Sequence, residues 1–171
     1  MQGMNSAVRT FDGGTAAEAA AGLLALNNAH AAELSRLSPK AMARLIDRAF
    51  LACRIGEADA FLIAFDEAAD YDSPNFLWFR GRFDRFVYVD RVAVAFPARG
   101  RGFGRTLYEA LFERARAAGH VRIVCEVNAD PPNSASDAFH AAMGFAVIGW
   151  ATIDRGKTVR YYARALHGAS T

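Results

Sequence analysis

The sequence predicts one α/β domain over residues 1–171, built on a mixed, mostly antiparallel sheet. Apolar runs joined by short turns predict two β-hairpins, at residues 50–65 and 145–165. Between the hairpins, an apolar strand at residues 88–94 leads through an amphipathic helix into a second strand at residues 121–128. This strand–helix–strand order favours a right-handed parallel crossover, so we expect one parallel pair at the centre of the sheet.

Composition indicates a globular protein, with a core over about residues 7–166. Hydrophobic residues make up 53% of the chain and aromatic residues 12%, which excludes a disordered protein. The net charge of +2 is close to balance, and the basic residues are spread along the chain. The sequence has no apolar run of membrane-spanning length and no leader pattern at its start. We therefore expect a cytoplasmic protein with neither nucleic acid nor a membrane as its partner.

The two cysteines, Cys53 and Cys125, lie within apolar, strand-like runs. Such positions favour buried thiols in a reducing compartment over a disulfide. No second pair of ligands accompanies either cysteine, so we expect no metal site.

The first part of the chain predicts a short strand and two helices. Residues 7–11 form the candidate strand, and residues 12–15 supply a turn and a helix cap. An Ala- and Leu-rich stretch predicts a helix over residues 16–30. Ser38, which precedes a proline, predicts the start of a second, amphipathic helix.

A long connection at residues 66–85 carries a dense aromatic cluster, and Ser73 before a proline predicts a short helix within it. We interpret Trp78 and Phe79 as candidate substrate contacts. Two alternatives stay open, because these rings can also cover the edge of the sheet or face a second subunit in a homodimer.

Residues 99–104 form a loop of arginine and glycine between a strand and a helix. Gly100, Gly102 and Gly104 permit backbone angles that bring successive N–H groups into one concavity. The helix that follows adds unpaired N–H groups and the positive end of its dipole. A diphosphate is the expected occupant. Three arginines would add charge and one threonine a hydroxyl: Arg99, Arg101, Arg105 and Thr106.

Two known phosphate-binding motifs do not fit this loop. A nucleotide P-loop needs a lysine after its last glycine, whereas Gly104 is followed by Arg105. The dinucleotide fingerprint needs G-x-G-x-x-G, whereas single residues separate the glycines here. On the glycines alone, a plain tight turn is an equal alternative.

A third pattern matches. Arg99-x-x-Gly102-x-Gly104, directly after a strand and before a helix, resembles the acyl-CoA motif (Q/R-x-x-G-x-G/A) of the GNAT superfamily of acetyltransferases. The block from Asn133 to Phe145 is similar to the late signature of that family, N-x-x-A-x-x-F-Y-x-x-x-G-F. The order and separation of the two blocks also match, and the resemblance covers the chain from about residue 50 onward.

The resemblance implies a GNAT-like fold, in which the central parallel strands splay apart around the cofactor. It also implies acetyl-CoA as co-substrate, with direct attack by an amine of a small molecule or a protein in a ternary complex. The same resemblance implies a set of cofactor contacts from two strands, two helices and the glycine loop: Val92, Ala93, Val94, Arg99, Gly100, Arg101, Gly102, Phe103, Gly104, Arg105, Thr106, Asn128, Asn133, Ser136, Phe139 and His140.

His140 stands where the family usually has tyrosine, and we predict that it protonates the leaving thiolate. A partly buried histidine that packs beside Phe139 and bonds to the backbone is an equal alternative.

Glu126 is our candidate for the base, acting directly or through water, because an acid within so apolar a strand needs a reason. Asp90 is a second candidate base. It alternates onto one face of its strand with Tyr88, a candidate substrate contact. For Asp90, a salt bridge to a nearby arginine is the favoured alternative.

Two other classes of function compete with the enzyme. A non-catalytic acyl-CoA-binding or sensing domain would bind the cofactor without turnover. A nucleic-acid-binding module would show steep salt dependence, which the near-neutral charge does not favour.

Overall fold

The computed structural model describes residues 7–11, 16–153 and 156–167. Six α-helices occur in these residues: α1 Ala16–Ala29, α2 Ala31–Leu34, α3 Pro39–Arg48, α4 Pro74–Arg80, α5 Phe103–Ala117 and α6 Ser134–Ala142. Seven strands occur with them: β1 Val8–Thr10, β2 Leu51–Ile55, β3 Ala60–Asp66, β4 Val87–Val94, β5 Arg122–Asp130, β6 Ala146–Ile153 and β7 Lys157–Ala165. No helix in the described residues is long and apolar enough to cross a membrane.

The strands form one mixed sheet in the order β1-β2-β3-β4-β5-β7-β6. The pairs β1–β2, β2–β3, β5–β7 and β6–β7 are antiparallel. Strands β4 and β5 are parallel, with Val87 opposite Ile123 and Tyr88 opposite Val124. The predicted fold class, a mostly antiparallel sheet with one parallel pair, is confirmed.

The helices of the first part of the chain begin close to where the sequence predicts. Ser38 Oγ accepts a hydrogen bond from the Ala41 N–H at 3.1 Å, which caps α3 as expected. Helix α3 buries Met42, Leu45 and Ile46 on one face. The four-residue α2 was not predicted, and the predicted turn and cap at residues 12–15 lie outside the described residues.

The chain divides into two compact units. The first unit holds Met1–Phe65 and Val89–Arg114, and the second holds Asp66–Tyr88 and Ala115–Thr171. In the first unit, every residue of β3 from Ala60 to Phe65 is buried, as expected of a central strand. The single domain over residues 1–171 stays a prediction.

Aromatic rings from the connection at residues 66–85 and from the residues that follow it pack together in the core of the second unit. Phe76, Phe79, Phe86 and Tyr88 have no exposed surface. The ring centroids of Phe76 and Phe79 lie 5.6 to 6.4 Å from those of Phe86 and Tyr88. Helix α4 begins at the predicted residue, although Ser73 makes no side-chain cap hydrogen bond. Burial of so much aromatic surface stabilises the unit by about 2 kcal/mol for each ring.

Candidate functional site

In the first unit, two of the three glycines of the loop adopt left-handed backbone angles. Gly100 has φ +80 and Gly102 has φ +77, a region that side chains disfavour. A Cβ at Gly102 would meet no atom within 4 Å, so crowding is not the reason for the glycine. Gly104 lies inside the first turn of α5, so the expectation of an unusual backbone at this residue was wrong.

The start of α5 presents backbone donors. The Thr106 N–H donates to the Gly102 carbonyl at 3.0 Å, which closes the first helical turn. The N–H groups of Phe103, Gly104 and Arg105 precede that bond and have no acceptor within the helix. Thr106 Oγ1 also donates to the Gly102 carbonyl, at 3.0 Å. The threonine hydroxyl therefore directs its proton to the loop itself.

Arg99 is held at the rim of the loop by groups that the sequence did not indicate. Its Nη2 lies 3.0 Å from His30 Nε2, and its guanidinium lies 5.4 Å from the Phe96 ring centroid. His30 Nδ1 lies 3.0 Å from the Leu26 carbonyl, so Nδ1 carries the proton and Nε2 accepts from Arg99. His30 and Arg99 are 69 residues apart in the chain, and no local pattern links them.

Asp90 forms the salt bridge that we gave as its favoured alternative. Its Oδ2 lies 3.0 Å from Arg91 Nε, and both side chains are less than 10% exposed. Arg91 also donates to Asn27 Oδ1 at 2.9 Å, to the Ser35 carbonyl at 3.0 Å and to the Leu34 carbonyl. This cluster ties α1 and α2 to β4 through Arg91, and the ion pair matches the structural alternative for Asp90.

Burial alternates along β4 beyond Asp90. Ala93 is buried, whereas Val92 and Val94 are half-buried. Their contacts with a cofactor stay predictions.

In the second unit, Tyr88 and Glu126 form a direct pair. The Tyr88 hydroxyl donates to Glu126 Oε1 at 2.9 Å, and the Tyr88 side chain is fully buried. Glu126 lies opposite Tyr161 in the β5–β7 register. Burial, together with the charge of Glu126, raises the pKa of Tyr161 to about 12. Because the phenol orients the carboxylate, the pair is suited to accept a proton.

Helix α4 also contacts Tyr161 on β7. The Tyr161 hydroxyl donates to Asn75 Oδ1 at 2.8 Å, and the Trp78 ring stacks on Tyr161 with centroids 4.0 Å apart. Phe79 is fully buried and meets Tyr161 edge-on at 5.1 Å. Phe79 therefore serves the core, whereas the half-buried Trp78 keeps part of its surface exposed. Sequence reasoning missed Tyr161 and Asn75.

Helix α6 holds the late signature. Asn133 Oδ1 accepts from the Ser136 N–H at 3.3 Å, so the predicted cap is present. His140 is 3% exposed. Its Nδ1 lies 2.7 Å from the Ser136 carbonyl and 3.2 Å from Ser136 Oγ. Its ring meets Phe139 and Phe145 edge-on, each at 5.3 Å. Burial lowers the pKa of His140, so these contacts match the structural alternative.

The remaining predicted contacts divide between the units by chain position. The loop residues Arg101 and Arg105 are exposed in the first unit, and Asn128 is half-buried on β5 in the second. Both cysteines are buried, and neither forms a disulfide. The described residues contain no group of three or more His, Cys, Asp or Glu side chains arranged for a metal ion.

Sequence comparison identifies a family over most of the chain. The model described as "Acetyltransferase (GNAT) family" matches residues 35–145. No curated protein sequence matches the chain at a significant level.

Solved structures with the same fold cover nearly the whole chain. Ard1 from Thermoplasma volcanium is 14% identical, with a TM-score of 0.70 over 94% of this chain and 97% of that one. The ribosomal-protein-S18-alanine N-acetyltransferase from Escherichia coli is 18% identical, with a TM-score of 0.65 over 96% of each chain. The structure of yncA from Salmonella typhimurium, with its cofactor acetyl-CoA, is 18% identical, with a TM-score of 0.68 over 96% of each chain. At these identities the similarity shows the fold.

Proposed function

Because the chain belongs to the GNAT acetyltransferase family, we propose that it transfers an acetyl group from acetyl-CoA to an amine of a small molecule or a protein. The observation that carries the proposal is the glycine loop, where two left-handed glycines lead into the unpaired N–H groups of α5. A neighbour in fold, yncA, was solved with acetyl-CoA, which supports the same cofactor here.

The loop fits a diphosphate. Its backbone donors lie at the positive end of the α5 dipole, and the exposed side chains of Arg99, Arg101 and Arg105 add cationic charge. The side chain of Phe103 is 6% exposed and anchors the loop in the first unit. We assign the diphosphate of CoA to this loop, and the predicted backbone contacts of β4 to the arm of the same cofactor.

We assign the role of base to Glu126. The amine nitrogen bonds to the thioester carbonyl carbon, the carbon–sulfur bond breaks, and the sulfur leaves with its electron pair as the thiolate. The amine proton passes to the Glu126 carboxylate, directly or through a water. The hydrogen bond from Tyr88 to Oε1, at 2.9 Å, holds the carboxylate in one orientation for this transfer.

The proposal does not require His140 as an acid. A thiol titrates near pH 8.5, so the thiolate of CoA is a competent leaving group that takes its proton from water. The Nδ1 proton of His140 is held by the Ser136 carbonyl, and burial lowers the pKa of the ring. Neutral His140 therefore acts as a packing residue of α6 in this proposal.

Calorimetric titration of CoA tests the loop directly. Gly102→Val should weaken CoA binding by about tenfold or more, because valine disfavours φ +77 and would shift the backbone of the loop. Gly156→Val is the matched control, since Gly156 has φ +79 and equally open surroundings immediately before β7. If both variants are folded and bind CoA as tightly as wild type does, the loop is not part of the cofactor site.

Release of free thiol from acetyl-CoA across a panel of amines tests the activity. The proposal predicts acceptor-dependent release for at least one amine. If the protein binds CoA but releases no thiol with any amine, the result would favour the rival class, a non-catalytic acyl-CoA-binding domain.

A further inference from the structure

In the second unit, the Trp78 indole is covered on both faces. The Tyr161 ring lies on one face, with centroids 4.0 Å apart and planes at 21°. The Arg82 guanidinium lies 3.6 Å from the Trp78 ring centroid, so it occupies the other face. Arg82 Nη1 also donates to the Trp78 carbonyl at 3.0 Å. A flat cation is thereby held in one orientation on an aromatic support.

The position of the indole depends on a glycine in β6. A Cβ at Gly149 would lie 2.6 Å from Trp78 Cζ2, which is too close unless the indole moves. Tyr161, on the other side, is fixed by its hydrogen bond to Asn75 Oδ1 at 2.8 Å. These contacts place Trp78, and with it Arg82, without help from a ligand.

Arg82 is exposed and has donors to offer. A guanidinium carries five N–H groups, and the hydrogen bond to the Trp78 carbonyl uses one of them. A guanidinium stacked on an aromatic face keeps its edge available for paired hydrogen bonds to a carboxylate. Arg82 is therefore a preformed receptor for an anionic group.

Glu126 brings a charge of opposite sign to the same aromatic pair. It lies opposite Tyr161 in the β5–β7 register, and directly opposed residues on neighbouring strands project from one face of the sheet. Burial and Glu126 raise the pKa of Tyr161 to about 12, whereas Arg82 opposes the rise. Both charges thus act on one phenol.

We propose that the acceptor is an amino acid, whose amine is directed to Glu126 and whose carboxylate is directed to Arg82. The inference rests on the proposed acetyl transfer, because Glu126 is the proton acceptor of that reaction. It goes further by naming the chemical class of acceptor: amines with a carboxylate are preferred to amines without one. Trp78 is a positioning residue, which acts through Arg82.

Matched pairs of acceptors test the inference. The pairs are γ-aminobutyrate with butylamine, which has a methyl group in place of the carboxylate, and phenylalanine with phenethylamine, which has a hydrogen in its place. Thiol release from acetyl-CoA gives kcat and KM for each. Calorimetric titration of the same compounds into CoA-saturated protein gives their binding without turnover.

Arg82→Gln should raise KM and the dissociation constant for the amino acids by about 10- to 100-fold, because a charge-assisted pair is lost. Its effect on butylamine and phenethylamine should stay within about twofold, since neither compound has a carboxylate to lose. Gly149→Ala should raise KM for the amino acids alone, because the new methyl group displaces Trp78. Arg80→Gln is the matched control, since exposed Arg80 lies over Phe76, with 5.8 Å to the ring centroid.

The outcomes separate the inference from the proposed activity. Equal use of both members of each pair by wild type, or equal losses for both in Arg82→Gln, would overturn the inference and leave acetyl transfer intact. Amino acids that bind through Arg82 without being acetylated would support the acceptor site and contradict the activity. The absence of any Arg82-dependent binding of amino acids overturns the inference in every case.

Discussion

The two units solve the problem of an acid in an apolar strand in different ways. In the first unit, Asp90 on β4 lies 3.0 Å from the buried guanidinium of Arg91, which neutralises it. In the second unit, Glu126 on β5 receives a hydrogen bond from the phenol of Tyr88 at 2.9 Å. A guanidinium keeps a carboxylate ionised and balances its negative charge. A phenol orients the carboxylate and leaves that negative charge unbalanced. The second arrangement suits a group that must take up a proton.

The largest expected effect is on turnover when Glu126 is changed. Glu126→Gln should lower kcat by about 10³-fold, because the amide keeps an acceptor for Tyr88 but cannot take a proton. Steady-state thiol release measures the loss, and titration of CoA should give an unchanged dissociation constant. Retention of full turnover by Glu126→Gln would show that proton transfer has another route.

Asp90→Asn should act on stability, not on chemistry. We expect the free energy of unfolding to fall by about 3 kcal/mol, because removal of one partner leaves a buried guanidinium uncompensated. The low end of the usual range applies, since Arg91 keeps its bonds to Asn27 and to two carbonyl groups. Urea unfolding measures the change. A large loss of kcat with an unchanged free energy of unfolding would instead indicate that Asp90 takes part in the reaction.

A smaller effect is expected for Tyr88→Phe. Loss of the hydrogen bond to Glu126 Oε1 should cost about 1 kcal/mol, which corresponds to roughly fivefold in kcat. The phenyl ring preserves the core packing against Phe76 and Phe79. Thiol-release kinetics at saturating acceptor give the change. A loss as large as that of Glu126→Gln would mean that the phenol itself reacts.

The smallest effect concerns the dependence of stability on pH. Burial lowers the pKa of His140 from its ordinary value of 6.5, so the unfolded chain binds a proton at a higher pH than the native protein does. The stability that neutral His140 contributes is present above pH 6.5 and is lost as the pH falls below that value. Thermal unfolding of wild type and His140→Gln from pH 7 to pH 5 should show a steeper decline for wild type. Parallel curves would contradict the buried, neutral histidine.

Local sequence predicts the features of the fold that are determined by a few neighbouring residues. The glycine loop could be predicted because left-handed backbone at Gly100 and Gly102 is encoded at those residues. The Ser38 cap followed from Ser38 and the next few residues. Gly104 shows the limit of that reasoning, because helical φ and ψ leave its glycine without a special conformational role.

The contacts that shape the candidate acceptor site depend on distant residues. Tyr88 and Glu126 are 38 residues apart, and Asn75 and Tyr161 are 86 apart. Strand register brings them together, and register is a property of the whole sheet. The sequence predicted that Glu126 lies on a strand, and an acid in so apolar a strand indicated a functional residue. No local pattern predicted its hydrogen bond from Tyr88 or the stacking of Arg82 on Trp78.

Transfer of a labelled acetyl group measures the central claim most directly. Wild-type protein is incubated with acetyl-CoA that carries a ¹³C-labelled acetyl group and with the panel of amines and amino acids, and the products are identified by mass spectrometry. We predict a labelled N-acetyl product whose yield equals the thiol released and which is nearly absent with Glu126→Gln. Saturation with acetyl-CoA at normal affinity, with no labelled amine formed from any acceptor, would contradict the account.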